Sequence, residues 1–240
     1  MELEVVGCAT PFPGRDRPCS GYVLSEGDRR VLLDCGSGVV GHLNPGELSC
    51  VWISHLHPDH FGDLPALANW ALNTPGAVRL PVFGPRGWDR RLNVFLTGDP
   101  DSGTASDVFE VGYVSDGARI DLGDLRLESR AVHHSVEAYG VRVTGADRSF
   151  AYSGDTGPCA ALVDLALDAD LFLCEAGSTT PSEHHLTMRQ AYEIAVAARA
   201  GELLLTHVQE TSTAIVEPSE LPTSLARPGE VRPIGPRTAS

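Results

Sequence analysis

Four side chains of the types that bind metal ions lie within one short stretch of the sequence, at His55, His57, Asp59 and His60. They follow an apolar segment that we predict to be a strand. Because alternate residues of an extended segment point the same way, His55 and His57 can bind one metal ion. A turn at Pro58 lets Asp59 and His60 reach a second ion. The stretch therefore predicts a two-metal site.

The donor atoms of this stretch are imidazole nitrogens and carboxylate oxygens, with no thiolate. Zinc accepts such a set, and so do manganese, cobalt and iron, so the residues predict a metal site without fixing the element. The alternative is a polar surface loop that happens to contain histidines. Four ligand-type residues at this spacing rarely coincide by chance, which favours the metal site.

Strands and helices are predicted on both sides of the stretch. Strands are expected at 3–6, 21–24, 31–34, 51–54, 108–113, 125–132, 140–143, 150–153, 171–174 and 203–206. Helices are expected at 63–72, 159–167 and 187–199. Strand-rich blocks that each end in helices indicate an α/β architecture of two packed sheets with helices outside.

The length and composition predict one folded domain and a tail. The chain has 240 residues, 42% of them hydrophobic, which is enough for one sizeable core. After residue 208 the apolar periodicity fades and prolines recur, at Pro218, Pro222, Pro228, Pro233 and Pro236. We therefore predict a domain over 1–208 and a proline-rich tail over 209–240 that is loosely ordered or peripheral.

The formal net charge of −14 argues against a long nucleic-acid footprint, because such binding needs many cations to neutralise the phosphates. A small-molecule substrate fits this charge better. No segment is apolar enough for a membrane span, and the first residues do not have the pattern of a signal peptide. We expect a soluble, cytoplasmic protein.

Several later segments extend the pattern of the histidine-rich stretch. Ser-His-Leu-His-Pro-Asp-His at 54–60 is followed by His-Ser-Val-Glu-Ala-Tyr-Gly-Val-Arg at 134–142, Tyr-Ser-Gly-Asp-Thr-Gly at 152–157, His-Leu-Thr at 185–187 and Leu-Thr-His at 205–207. In this order they resemble the metallo-β-lactamase superfamily, and within it the phosphodiesterase branch that contains ribonuclease Z and bacterial cyclic-nucleotide phosphodiesterase-like proteins. The resemblance implies an αββα sandwich, in which two mixed β-sheets pack face to face with helices outside.

The resemblance also implies the ligands of two metal ions. It places His55, His57 and His134 on the first ion, Asp59, His60 and His207 on the second, and Asp155 between them. We expect two divalent ions, with Zn²⁺ first and Mn²⁺ as the alternative. Two ions about 3.5–4 Å apart share a water that loses its proton near neutral pH.

Catalytic roles follow from the same resemblance. Asp59 would orient the bridging hydroxide, and His185 would stabilise the oxyanion or protonate the leaving oxygen. The two cations outweigh Asp59, Asp155 and one hydroxide by about one unit of charge, which favours an anionic substrate. Because dimers are common among such relatives, a homodimer is also expected.

Two pairs of adjacent histidines leave a choice. If His133 and His134 lie on one strand, their side chains face opposite ways, and the Ser and Gly-x-Arg that follow favour His134. The Leu-Thr that follows favours His185 over His184. His42 lies far from any motif, and we expect it at the surface.

Three other features keep more than one interpretation, and Asp34 has one expected role. Glu175, at the end of a predicted strand, either orients a ligand imidazole or is a solvated acid. Arg142 either contacts a substrate phosphate or, as is more common for one arginine on a strand, forms a structural salt bridge. Asp34 is expected to support the histidine-rich stretch through hydrogen bonds, and the glycine-containing segment 7–11 is either a turn or a substrate loop.

The chain departs from ribonuclease Z between His134 and Asp155. Ribonuclease Z carries a long insertion there that holds transfer RNA, whereas only 21 positions separate the two residues in this sequence. The expected reaction is therefore hydrolysis of a small phosphodiester, such as a cyclic nucleotide or a cyclic phosphate metabolite, by the bridging hydroxide.

The main alternative keeps the metals and changes the bond, to a thioester or lactone that an acyl hydrolase would cleave. A redox role at an iron pair is disfavoured, because flavodiiron relatives have a glutamate at the position of His57. A non-catalytic scaffold is disfavoured because the set of ligands is complete.

Overall fold

Apolar strands dominate the computed structural model, which describes residues 1–209 and 220–235. The strands are β1 (Glu2–Gly7), β2 (Gly21–Glu26), β3 (Arg29–Leu33), β4 (Cys50–Trp52), β5 (Leu80–Gly84), β6 (Phe109–Tyr113), β7 (Arg119–Leu122), β8 (Leu125–Ala131), β9 (Tyr139–Thr144), β10 (Ser149–Tyr152), β11 (Leu171–Glu175), β12 (Leu203–Thr206), β13 (Thr223–Leu225) and β14 (Glu230–Pro233). The helices are α1 (Pro58–Phe61), α2 (Leu64–Asn73), α3 (Trp88–Thr97), α4 (Thr104–Val108), α5 (Ala161–Ala166) and α6 (Met188–Ala197), with single 3-10 turns at Val40–His42 and Pro45–Glu47.

The strands form two seven-stranded sheets. The first has the order β14-β1-β2-β3-β4-β5-β6 and the second the order β13-β12-β11-β10-β9-β8-β7. Both sheets are mixed, because β3 to β6 and β10 to β13 pair in parallel while the remaining neighbours are antiparallel. The predicted sandwich of two mixed sheets is therefore confirmed.

Alternating side chains along a strand pack into two different core layers, one on each face of the sheet. Tyr22 and Leu24 of β2 face the second sheet, where they meet a core that includes Val141 and Tyr152. Val23, between them, joins the layer under α2 and α3. Apolar residues on both faces make such strands nearly continuous hydrophobic runs in the sequence, which is typical of sheets covered on both sides.

Helices cover the outer faces of both sheets. Leu64 and Leu67 of α2 and Trp88 of α3 pack on the first sheet, and Leu165 of α5 and Ala195 of α6 pack on the second. None of the helices in the part of the chain that the structure describes is long and apolar enough to span a bilayer.

The sheets bring the ends of several strands to one edge of the sandwich. Strands β10, β11 and β12 are parallel, and β8 runs the same way because it is antiparallel to β9, which is antiparallel to β10. Their carboxyl ends meet the carboxyl end of β4 from the first sheet. In α/β proteins, ligands bind beyond the carboxyl ends of strands, so this edge is where the predicted site should assemble.

The predicted loosely ordered tail is wrong for residues 220–235. There β13 pairs with β12, β14 pairs with β1, and Ile234 is buried in the core between the sheets. Both strands lie at sheet edges, where proline is tolerated because no neighbour needs its missing N–H. The first sheet and the second sheet therefore both use residues beyond the predicted domain end at 208. The rest of the predicted tail, 210–219 and 236–240, lies outside the described residues.

Candidate metal centre

The histidine-rich stretch follows β4 and leads into α1. Pro58 occupies the first turn of α1, a position where its fixed backbone angle suits a helix and its missing N–H costs nothing. The backbone of the preceding loop comes very close, since a Cβ atom on Gly36 would lie 2.0 Å from the carbonyl oxygen of Asp59. Only glycine fits there. The Cys35 amide then donates to the His60 carbonyl oxygen at 2.8 Å, which fixes the stretch against the first sheet.

Three imidazoles form the first group of candidate ligands. His57 Nδ1 lies 3.1 Å from His55 Nε2 and 3.2 Å from His134 Nε2. Nitrogens bound to one tetrahedral zinc at about 2.0–2.1 Å would lie about 3.3 Å apart. The three nitrogens all lie within 4.8 Å of one another, which is close enough for them to bind a single cation.

A second group joins two carboxylates and two imidazoles. Asp59 Oδ2 lies 3.1 Å from His207 Nε2 and 3.8 Å from His60 Nε2. Asp155 Oδ1 lies 3.2 Å from His60 Nε2, and Asp155 Oδ2 lies 3.2 Å from His207 Nε2. The same Oδ2 is 3.8 Å from His55 Nε2, in the first group. Asp155 thus lies between the two groups, and the structure brings together all seven predicted ligands.

The donor groups fit divalent cations. Asp155 is 2% exposed, and its Oδ1 accepts no hydrogen bond of good geometry from the described residues, although His60 Nε2 lies 3.2 Å from it. Burying a carboxylate oxygen without a partner is costly, and a bound cation would supply that partner. The set of nitrogen and oxygen donors without thiolate suits Zn²⁺ or Mn²⁺.

Most of these groups also favour the protonation state that a metal requires. Burial lowers the pKa of His134 to about 4 and holds the pKa of His55 well below its usual range, so both are neutral imidazoles. Burial opposes the charge of Asp155, but His207 and His60 outweigh it and hold the pKa of Asp155 well below its usual range. His60 differs, because Asp155 and Asp34 overcome burial and raise its pKa. Metal binding must displace that proton.

Buried hydrogen bonds orient the candidate ligands. Asp34 Oδ2 lies 2.7 Å from His60 Nδ1, and the Asp34 carboxylate also accepts from the amide and hydroxyl of Ser54 and from the Tyr152 hydroxyl. His134 Nδ1 lies 2.9 Å from the His184 carbonyl oxygen. Such partners fix the tautomer and direction of a ligating imidazole. Asp34 supports the stretch through hydrogen bonds, as the sequence predicts.

A further histidine lies beside the cluster and is held by a buried acid. His185 Nδ1 is 3.0 Å from Glu175 Oε1, and its ring stacks on His207 with centroids 5.6 Å apart. Glu175 is fully buried and also accepts from the amides of Thr156 and Gly177. The hydrogen bond to Glu175 raises the pKa of His185. Glu175, which the sequence left open, is therefore no solvated acid, and its side chain holds the His185 ring.

The remaining candidates lie apart from the cluster. His133 and His134 occupy the loop after β8 instead of a strand, and only His134 points into the cluster, whereas the His133 side chain is 53% exposed. His42 is exposed. Arg142 donates to the carbonyl oxygens of Leu165 and Leu167, at the end of α5 where carbonyls lack helical partners. Its contact is structural, although the partners are carbonyls and not the expected salt bridge.

Known proteins share this fold and this sequence pattern. The beta-lactamase superfamily domain matches residues 29–208. The uncharacterised protein ML1173 of Mycobacterium leprae is 40% identical over 223 residues, which cover 87% of this chain and 78% of that protein. The probable metallo-hydrolase YhfI of Bacillus subtilis is 29% identical over 221 residues, which cover 87% of each chain.

Solved structures agree with the sequence relatives. The crystal structure of YhfI matches with a TM-score of 0.82 at 25% identity, over 96% of this chain and 98% of that one. The short form of human tRNase Z matches with a TM-score of 0.76 at 22% identity, over 98% and 100%. The predicted resemblance is confirmed, and the chain belongs to the β-lactamase superfamily.

Proposed function

We propose that the chain is a metal-dependent hydrolase that cleaves a small anionic phosphodiester, such as a cyclic nucleotide or another cyclic phosphate. One observation carries the proposal: a protonatable histidine, His185, lies directly beside a cluster of seven metal-type ligands and is held there by the buried Glu175. Hydrolysis of a phosphodiester needs both a site for cations and a proton for the leaving oxygen.

We assign the two groups of ligands to two cations. His55, His57 and His134 would hold the first, Asp59, His60 and His207 the second, and Asp155 would lie between them. Zn²⁺ is the ion we favour and Mn²⁺ the alternative. When bound, such cations polarise the phosphoryl oxygens and lower the pKa of coordinated water.

The protein side chains then complete the reaction. Asp59 is 7% exposed at the edge of the cluster, where its carboxylate can accept a hydrogen bond from the attacking water and orient it. The water releases one proton to the solvent as its oxygen forms the new bond to phosphorus, and the bond from phosphorus to the leaving oxygen breaks. His185 gives its proton to that leaving oxygen, and Glu175 stabilises the protonated imidazole before the transfer.

The geometry near the cluster supports a small substrate. The chain between His134 and Asp155 forms only a short loop and the hairpin of β9 and β10. There is no extended arm in this segment to hold a transfer RNA. The net charge of −14 also opposes binding along a nucleic acid. Ribonuclease activity is therefore not the activity we propose, although a relative is named tRNase Z.

Turnover of purified protein with added Zn²⁺ or Mn²⁺ tests the proposal. The substrates are bis-p-nitrophenyl phosphate and cyclic AMP on one side, and a thioester and a homoserine lactone on the other. We expect cleavage of the phosphodiesters, abolished by chelation and restored by the metal. Cleavage of the acyl substrates without the phosphodiesters would replace our proposal with the acyl hydrolase.

A further inference from the structure

A cavity of about 260 Å³ lies against the histidine-rich stretch, and three arginine side chains line it. Among the residues that line it are Leu56, Arg86, Arg90, Arg91, Val136 and Glu137. Leu56 separates His55 from His57, and Val136 comes two residues after His134. Two residues that line the cavity are therefore close neighbours in the sequence of all three members of the first ligand group.

Hydrogen bonds hold this wall beside the ligands. Arg91 Nη1 donates to the carbonyl oxygen of Leu56 at 3.0 Å. On the other side, the Tyr139 amide donates to the Ser54 carbonyl oxygen at 3.0 Å and anchors the loop that carries Val136. The backbone on two sides of the cavity is therefore the backbone that also carries His55, His57 and His134, while the side chains of these three residues do not line the cavity.

Three arginines and one glutamate line the cavity, so positive charge is in excess there. Arg90 forms an ion pair with Asp101, so its charge is already matched. The Arg86 guanidinium lies over the ring of Tyr113, 5.5 Å from its centroid, and Arg91 contacts a carbonyl. The contacts that the described residues make with Arg86 and Arg91 are thus to an aromatic ring and a carbonyl oxygen, neither of which carries a full negative charge. With Glu137 as the one acidic residue in the lining, an excess of about one positive charge remains here, although the chain as a whole carries a charge of −14.

We propose that Arg86 and Arg91 bind a second phosphate group of the substrate. Guanidinium groups match phosphate oxygens in geometry and charge, and remain charged at any physiological pH. The apolar Leu56 and Val136 side chains would contact the organic part between the two phosphates. The proposal rests on the function proposed above and narrows it, because the substrate would be a phosphodiester that also carries a phosphate monoester.

A matched pair of substrates tests this inference. Adenosine 2′,3′-cyclic phosphate is compared with the same molecule carrying a 5′-phosphate, in the wild type and in Arg86→Gln. We expect the wild type to prefer the phosphorylated probe in kcat/KM by about tenfold, and Arg86→Gln to lose that preference, as for one charge-assisted contact. Turnover of bis-p-nitrophenyl phosphate, which has no second phosphate, should change by less than about twofold.

Controls separate this inference from the proposed function. Arg189→Gln removes an exposed arginine on α6 and should keep the preference. Binding of adenosine 5′-monophosphate, measured by calorimetry, should weaken by about tenfold in Arg86→Gln whether or not any diester is cleaved. Equal turnover of both probes by the wild type, or unchanged binding in Arg86→Gln, would overturn the second-phosphate site. If no diester is cleaved but Arg86→Gln still binds adenosine 5′-monophosphate more weakly than the wild type, only the proposed function is overturned.

Discussion

The first sheet supplies four of the seven candidate ligands from one stretch after β4, whereas the second sheet supplies three from the ends of three strands, β8, β10 and β12. The four are positioned by local geometry, since they are neighbours in the chain. The three meet only because strand pairing aligns their carboxyl ends. A motif can therefore reveal half of a site, while the other half depends on the whole fold.

Asp155→Asn should have the largest effect, because it removes from the second sheet the one carboxylate that lies between both groups. We expect diester turnover to fall to background and bound metal, measured by elemental analysis, to fall below two equivalents per chain. Asp147→Asn, at a side chain that is 74% exposed, is the matched control. Two retained equivalents in Asp155→Asn would show that the centre does not depend on the carboxylate between the two groups.

His185→Gln tests a second-sheet residue that we assign as a proton donor, although its position beside His134 and Asp155 would also allow it to bind a cation. Removal of the proton donor should lower kcat by about 10²- to 10⁴-fold with the metal content unchanged. The exposed His133 gives the matched control, His133→Gln. A loss of metal in His185→Gln would instead indicate that this residue holds a cation.

Glu175→Gln tests how a second-sheet carboxylate changes the pKa of the proton donor His185. A general acid must be protonated, so activity falls as the pH rises through its pKa, and Glu175 raises the pKa of His185. Without the carboxylate, the alkaline limb of the kcat profile should move to lower pH. Glu183→Gln, at an exposed neighbour, should leave the limb in place. An unmoved limb in Glu175→Gln would assign it to another group.

Asp34→Asn gives the smallest of these effects and concerns the first sheet. Loss of the charged partner of His60 should weaken metal affinity by about 10- to 100-fold. Competition with a chromogenic chelator measures the change. Tyr152→Phe removes one hydrogen bond to Asp34 and leaves the others, so it should cost about 1 kcal/mol of stability and little affinity. Equal losses of affinity in both variants would mean that the network acts as one unit.

The sequence predicted those parts of the molecule whose signals are local. The strand and helix patterns indicated two packed sheets, and the resemblance of the short segments at His134, Asp155, His185 and His207 to the superfamily implied the residues that now lie together. The partner of Glu175 was not predictable, because it depends on how the loop after β11 folds back on that strand.

Other elements lacked a recognisable signal. Strand β5 contains Pro81, and β7 is a short edge strand whose residues are all exposed or half-buried. Helix α3 begins after Gly87 without a side-chain cap, so the usual start signal of a helix is missing. Because α3 was not predicted, the arginines that it brings to the cavity were not recognised as a group. Strands β13 and β14 were hidden by their prolines.

The pairing of β14 with β1 and of β13 with β12 has a consequence for folding. Each sheet stays open at one edge until residues 220–235 dock, and unpaired edges are templates for association between chains. The β14 to β1 contact joins residues from opposite ends of the described chain, and contacts of such high sequence separation form slowly. Aggregation during refolding should therefore depend on how quickly this late segment closes the sandwich.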